Sequence, residues 1–221
     1  MTPELLSLVQ AHARAEFPRE SCGLFVWDGT CKAVYRPCRN IASEGEFEIH
    51  PADWADAEDS GVIIGVVHSH PSGKVEPSMQ DKAGCLRSQL PWWIVTPEGE
   101  WTRMTNALPL QGRVYAWGVQ DCYSILQDWF SFRGITLPDY MRDPEDGQDH
   151  YRTHFQECGF QAVNSDRQVG DVLFFGNPTH HAGVYVGDGR FLHHRGKQLS
   201  RVEMLDGYWQ REHSLTVRRM A

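Results

Sequence analysis

A run of apolar residues, GVIIGVV at 61–67, ends directly in His68, Ser69, His70 and Pro71. The run is too short to cross a bilayer and is typical of a buried strand. Side chains alternate between the two faces of a strand, so His68 and His70 point to the same side at its end. Pro71 stops the strand. A chain with this segment therefore places two imidazoles side by side at the edge of a buried sheet.

Ser78 and Asp81, which follow this strand, permit two interpretations. Two imidazoles can share a zinc ion, and a carboxylate oxygen with a water would complete an open tetrahedral site. Asp81, near the start of the next predicted helix, can supply that oxygen. The same Ser-x-x-Asp spacing is also a helix-capping signal that needs no metal. The combination of His-Ser-His-Pro with Ser78 and Asp81 is much rarer than either pattern alone.

The composition excludes several classes of protein. The formal net charge is −8 with no run of Lys or Arg, which argues against a nucleic-acid partner. No apolar stretch is long enough to span a membrane, and the N-terminus lacks the features of a signal peptide. It reads instead as an amphipathic helix with Thr2 as N-cap. The six cysteines form no C-x-x-C pair, so we expect thiols in a reducing compartment.

The succession of predicted elements changes character near residue 109. The first half alternates strands with helices. The second half has two helices followed by a run of strands, among them GDVLFFG, HAGVYVG and RFLHHRG. Helices followed by strands are typical of an α+β domain. We therefore predict two α+β domains of about equal size, residues 1–108 and 109–221.

Residues 1–105 resemble the JAMM (Mov34/MPN/PAD-1) metalloprotease domains. The segment PRESCGLF supplies Glu20 and Cys22-Gly23, which join the two histidines, the proline, the serine and the aspartate described above. No position of the family motif is missing. A small buried thiol is the expected role of Cys22, rather than that of a metal ligand.

This resemblance implies an α-β-α fold and a role for each motif residue. His68, His70 and Asp81 would bind Zn²⁺. Glu20 would be the general acid/base that acts on the zinc-bound water, and Ser78 would support the tetrahedral intermediate. Zinc lowers the pKa of bound water to about 7 and polarises a carbonyl, so hydrolysis of a peptide or isopeptide bond is the expected reaction.

Cys122 begins the predicted helix DCYSILQDWFSFRG, with Asp121 as N-cap and Gly134 as its stop. The dipole and the N–H groups at a helix N-terminus favour a thiolate. A buried structural cysteine is the alternative for a lone cysteine on a helix. The next predicted helix ends at Gly159 and carries His154, which we expect on a solvated face.

Residues 112–221 resemble the NlpC/P60 cysteine peptidases, a papain-like α+β fold that cleaves peptidoglycan stem peptides. The segments YAWGVQDC, GDVLFFG and HAGVYVGDGRFLHH carry the resemblance. It implies that Cys122 is the nucleophile and His181 the base, and that Tyr115 lies near the oxyanion site. One departure is Tyr123-Ser124, where Ser and Gly are common in the family.

The residue that orients His181 is open between His193 and His194. A two-residue turn at Asp188-Gly189 would place His194 on the face of His181. A three-residue turn with a bulge would place His193 there. The family spacing of twelve residues favours His193, which we take as the predicted residue, with His194 as the alternative.

The joining of these two domains in about 220 residues resembles a family of tail assembly proteins of lambda-like phages. The resemblance implies action in the host cytoplasm at the tail tip, with tail tip proteins as partners and a place in the virion tail tip as the alternative. One class of function is a dual peptidase that cuts peptidoglycan peptides or a tail protein. The second is an assembly factor whose folds serve for binding. A third is a JAMM hydrolase that acts on a ubiquitin-like sulfur carrier.

Overall fold

The computed structural model describes residues 1–43, 45–105, 109–143 and 150–220, and for residues 150 and 151 it describes the backbone only. The chain divides into two compact units. The first unit comprises Met1–Leu108, Ala116–Val119 and Pro138–Arg142, and the second comprises Pro109–Tyr115, Gln120–Leu137 and Asp143–Ala221. The predicted α+β class is confirmed. The predicted boundary after residue 108 stays a prediction, because two short segments from beyond it group with the first unit.

The first unit is built on a five-stranded sheet in the order β2-β1-β3-β4-β5. Only β3 and β4 are parallel among the neighbouring strands. Strands and helices alternate along this unit, as the sequence predicted. In chain order they are α1 (Pro3–Glu16), β1 (Cys22–Trp27), β2 (Ala33–Cys38), α2 (Pro51–Ser60), β3 (Val62–Ser69), α3 (Met79–Ser88), β4 (Trp92–Val95) and β5 (Trp101–Met104).

Strand β3 lies at the centre of this sheet, which explains its nearly continuous apolar sequence. Strands β1 and β4 flank it, and its residues from Ile64 to Ser69 are buried. Val66 shares a core cluster with Leu24 and Trp92 from those two neighbours. Since both sides of the strand are occupied, the backbone that carries His68 at its end is held firmly.

Gly23, in β1, leaves no room for a side chain. A Cβ there would lie 2.5 Å from Tyr35 Cε2 and 2.7 Å from the Arg36 carbonyl oxygen. The Tyr35 hydroxyl lies 2.7 Å from His12 Nδ1, which limits movement of the ring. We expect Gly23→Ala to lower the free energy of unfolding by about 1–3 kcal/mol, as measured by urea denaturation. An unchanged midpoint would mean that β2 shifts to admit the methyl group.

The second unit is built on a six-stranded sheet in the order β10-β9-β8-β7-β11-β6, with every neighbouring pair antiparallel. No helix in the described part of the chain is long and apolar enough to span a membrane. The elements are α4 (Cys122–Ser131), α5 (His150–Glu157), β6 (Phe160–Ala162), β7 (Val172–Phe175), β8 (His181–Gly187), β9 (Arg190–His193), β10 (Arg201–Met204), α6 (Gly207–Glu212) and β11 (His213–Arg219). Sequence patterning did not predict β6 or α6, because so few residues show no periodicity.

Helix α4 starts where the sequence predicted. The Asp121 side chain accepts hydrogen bonds from the backbone N–H groups of Tyr123 and Ser124, and the Ser124 hydroxyl accepts from Asp121 N at 2.7 Å. These reciprocal bonds satisfy donors that a helix N-terminus leaves without intrahelical partners. The helix packs against β8 and β9 and is buried from Cys122 to Phe130. Cys122 is therefore the first residue of a firmly anchored helix.

The expectation that His154 lies on a solvated face is wrong. Only 8% of His154 is exposed, and its Nε2 lies 2.5 Å from the Tyr123 hydroxyl. Helix α5 carries few apolar residues, so periodicity indicated weakly which face is buried. The family departure at Tyr123 is thus accommodated by a polar contact between α4 and α5.

Candidate metal centre and candidate thiol site

His68, His70 and Asp81 converge at the end of β3. The two Nε2 atoms lie 3.1 Å apart, His68 Nε2 lies 3.0 Å from Asp81 Oδ1, and His70 Nε2 lies 3.4 Å from Asp81 Oδ2. Ligands at about 2.0–2.1 Å from a tetrahedral ion are separated by about 3.3–3.4 Å. Two imidazole nitrogens and one carboxylate oxygen are also ligands that zinc prefers. The three side chains therefore fit a zinc ion with a position left for water.

The surroundings orient both imidazoles. His70 Nδ1 lies 2.8 Å from the Lys74 carbonyl oxygen, which only accepts, so Nδ1 carries the hydrogen and Nε2 turns a lone pair inward. The ring of Phe47 stacks on His68 with centroids 4.4 Å apart. Burial lowers the pKa of His68, which keeps the neutral form that a metal ligand requires.

Asp81 takes part both in the capping box of α3 and in the cluster with the two histidines. Ser78 N donates to Asp81 Oδ2 at 2.7 Å, and Asp81 N donates to Ser78 Oγ at 3.1 Å. This capping box starts α3 and at the same time points the Asp81 carboxylate at the histidines. The capping and metal interpretations are therefore compatible, because one carboxylate serves both geometries.

Glu20 lies beside this centre because of strand register. Cys22 pairs with His68 across antiparallel strands, so the chain two residues earlier lies opposite His70. Glu20, Ser78 and Asp81 line one pocket of about 380 Å³. Burial raises the pKa of Glu20 to about 7, with His70 opposing the rise. A carboxyl group with such a pKa can accept and release a proton near neutral pH.

Asn40 is a structural residue of this site that the sequence patterning did not reveal. Its Nδ2 donates to the carbonyl oxygens of Glu20 and Glu46, each at 2.9 Å. Its Oδ1 accepts from Ala42 N at 2.9 Å and from Glu48 N at 3.1 Å. Asn40 thereby holds the loop that carries Phe47 against the backbone of Glu20. Asparagine is a turn signal in any sequence, but nothing local indicates such a distant contact.

Cys22 is a fully buried thiol, as expected. Its Sγ lies 3.7 Å from the Cys38 carbonyl oxygen, and burial raises its pKa to about 12. A thiol that resists ionisation is a poor metal ligand. Among the described residues, no disulfide joins the cysteines.

In the second unit, His181 and His193 face one another. His181 Nε2 lies 2.9 Å from His193 Nδ1. Strands β8 and β9 are joined by the two-residue turn at Asp188-Gly189, where both residues have positive φ. The pairing of these strands also contains a bulge between Tyr185 and Gly187. The two alternatives considered from sequence are thus combined, and the bulge shifts the register so that His193 shares the face of His181.

Both histidines are neutral in this setting. Burial lowers the pKa of His181 well below its ordinary value and lowers the pKa of His193 to about 4. The ring of Trp209 lies against both, with centroids 5.4 Å from His181 and 4.8 Å from His193. A neutral His181 can take a proton, which is what a general base must do.

The remaining residues of the predicted thiol site lie on the elements around this pair. Cys122 is 3% exposed at the first turn of α4, the helix that packs against β8, where His181 begins the strand. The ring of Tyr115 lies edge-on to that of His194, with centroids 5.2 Å apart. The structure therefore brings His193 to His181 and His194 to Tyr115.

Two family models match the chain, one in each half. The model for prokaryotic homologs of the JAB domain matches residues 2–107, and the model for the NlpC/P60 family matches residues 112–219. The class of the protein is thereby defined as a JAB-like domain followed by a domain of the NlpC/P60 peptidase family. The predicted two-domain fold, JAMM/MPN-like and then NlpC/P60-like, is confirmed.

Two curated relatives match most of this chain, and a third matches about half of it. Tail tip assembly protein K of Escherichia phage N15 is 35% identical over 224 residues, covering 95% of this chain and 92% of that protein. Tail tip assembly protein K of Escherichia phage lambda is 39% identical over 173 residues, covering 75% and 86%. The bifunctional muramidase/DL-endopeptidase CwlT of Bacillus subtilis is 30% identical over 132 residues, covering 54% and 36%. The chain belongs to the family of tail tip assembly protein K.

Proposed function

We propose that this protein acts in phage tail tip assembly with two peptidase activities, a zinc metallopeptidase in the first unit and a cysteine endopeptidase in the second. The observation that carries the proposal is the convergence of the required side chains within each unit: His68, His70 and Asp81 in one, His181 and His193 in the other. An assembly factor that only bound its partners would not need these groups to be buried and oriented.

In the first unit, His68, His70 and Asp81 would hold the zinc ion. Bound zinc supplies a water with lowered pKa and polarises the scissile carbonyl. Glu20, whose pKa burial raises to about 7, would accept a proton from an attacking water and return it to the leaving amine. Ser78 donates its hydroxyl hydrogen to the oxygen that becomes negative. The substrate class is a peptide or isopeptide bond.

In the second unit, Cys122 attacks the carbonyl carbon of a peptide bond. His181 takes the thiol proton and returns it to the leaving amine, while His193 holds the His181 ring in place. The resemblance to the family assigns Tyr115 to the oxyanion side. The substrate that fits the family is a peptidoglycan stem peptide, and the name of the CwlT relative, a DL-endopeptidase, supports this class. A tail protein is the other candidate.

The names of the phage relatives support a setting in tail assembly within the host cell, with tail tip proteins as partners. Each unit contains its own sheet and its own cluster of candidate side chains. We propose that residues 1–108 and 109–221 carry the two activities separately.

Digestion of purified muropeptides, with the products weighed by mass spectrometry, tests the proposal. We expect the full-length protein to release fragments cut within the stem peptide, and the Cys122→Ser variant to release none. His68→Ala should leave this cleavage intact, because the zinc ligands belong to the other unit. Intact muropeptides after incubation with the wild type would exclude a stem-peptide substrate and favour a tail protein or a purely binding role.

His193 and His194 should differ sharply in their effect on cleavage. His193 contacts His181, whereas His194 contacts Tyr115. We expect His193→Ala to be slower than His194→Ala by at least about tenfold in kcat/KM, a difference near 1.4 kcal/mol in barrier. Rates on the same muropeptide decide the point, and equal losses would remove the assignment of His193.

A further inference from the structure

Glu203, on β10, lies next to the histidine pair of the second unit and has no part in the mechanism above. Arg201 pairs with His193 across the two strands, so Glu203, two residues further on, projects from the same face. Glu203 Oε2 lies 3.3 Å from His193 Nε2. That buried nitrogen has no well-aligned hydrogen bond among the described residues, and the Glu203 carboxylate is the acceptor that lies beside it.

The Glu203 carboxylate is itself held in place. Trp209 Nε1 donates a hydrogen bond to Oε2, and the Arg201 guanidinium pairs with Oε1. Burial acts to raise the pKa of Glu203, but the Trp209 hydrogen bond and the Arg201 guanidinium oppose it, and the pKa is lowered. At neutral pH the group is therefore ionised, and an ionised carboxylate can only accept hydrogen bonds.

We infer that Glu203 is a positioning residue that sets the tautomers of both His193 and His181. Beside an acceptor, His193 carries its hydrogen on Nε2, which leaves a lone pair on Nδ1. That Nδ1 lies 2.9 Å from His181 Nε2, so His181 carries its hydrogen on Nε2. His181 Nδ1 is then left with a lone pair.

The tautomer matters for the reaction. If the cysteine peptidase function proposed above holds, a lone pair on His181 Nδ1 is the group that takes the thiol proton. Without Glu203, the neutral His193 ring has no acceptor at Nε2 and both tautomers become accessible. A fraction of His181 would then carry its hydrogen on Nδ1 and could not act as the base. We expect Glu203→Ala to lower kcat about tenfold while leaving KM unchanged.

The direct test is NMR of the full-length protein labelled with ¹⁵N at histidine. Long-range ¹H–¹⁵N correlations distinguish a protonated ring nitrogen from one with a lone pair, and single His variants assign the signals. At neutral pH we expect the hydrogen of His193 and that of His181 on Nε2 in the wild type. Glu203→Ala should give mixed tautomers at both rings.

Two further variants separate positioning from general disruption. Glu203→Gln keeps an acceptor oxygen, so it should restore the wild-type tautomers and most of the rate. Asp206→Asn removes an exposed carboxylate whose side chain makes no capping bond, and it should change neither. Melting curves show whether each variant is folded.

The outcomes are distinct. A hydrogen on His193 Nδ1 in the wild type would overturn the inference without any variant, as would unchanged tautomers in folded Glu203→Ala. A wild type that shows the expected tautomers but cleaves no peptide would contradict the proposed function and leave the role of Glu203 in place.

Discussion

Purified wild-type protein is expected to carry about one zinc ion per chain, and the His68→Ala, His70→Ala double variant none. The double variant loses two of three protein ligands, and one carboxylate with two alanines cannot hold zinc tightly. The three donor atoms already stand at separations close to those in a tetrahedral site, so little reorganisation opposes binding. Elemental analysis after gentle purification measures the metal content directly.

Two variants make this experiment specific. Glu20→Gln should retain the metal and lose hydrolysis, because Glu20 moves protons and supplies no ligand. His12→Ala removes a histidine on α1 that contacts Tyr35, so it should retain the zinc. Zinc-free wild type, or a double variant that keeps its zinc, would mean that the three residues form only a hydrogen-bonded cluster around a capping box.

The second large effect concerns Cys122, which should react with iodoacetamide faster than the other five cysteines, Cys22, Cys31, Cys38, Cys85 and Cys158. Its place at the first turn of α4, with the helix N–H groups beside it, favours the reactive thiolate. Burial raises the pKa of both Cys22 and Cys38 to about 12, so their thiolates are scarce at neutral pH. Brief labelling followed by peptide mass spectrometry ranks the labelling rates of all six cysteines. If Cys122 labels no faster than Cys22, it is a structural thiol.

The same residue separates an enzyme from a scaffold in the phage itself. Cys122→Ser changes little volume, so folding and partner binding should persist while peptide cleavage is lost. A phage carrying Cys122→Ser and another carrying His68→Ala can be scored for tail formation and infection. Tail failure with His68→Ala alone would place the metallopeptidase in assembly and the cysteine peptidase elsewhere. Normal infection by both would mean that catalysis is dispensable and that the protein serves assembly by binding.

Much of the candidate chemistry follows from local patterns. The alternation of a strand puts His68 and His70 on one side wherever that strand lies, and the continuous apolar run predicts its burial. Asp121 was recognisable as an N-cap because capping depends on residues within one turn of the helix. The approach of Asp81 to the histidines was inferred from a motif, and the distances show that three donor atoms do meet.

Contacts between distant segments were decided only by the tertiary structure. Which histidine meets His181 depends on a bulge at Tyr185–Gly187, and a bulge is set by pairing with β9 rather than by its own residues. The reach of Asn40 to Glu20 and the burial of His154 against Tyr123 depend on how strands, loops and helices pack.

The sequence by itself therefore determined the residue types, the phase of β3, the capped start of α4 and, through the family resemblances, the two-domain class. Tertiary structure alone decided which side chains touch, including Glu203 beside His193. The physical reason is that periodicity and capping act over a few residues. Register and packing are settled by the summed energy of contacts between segments far apart in the chain, which no local pattern contains.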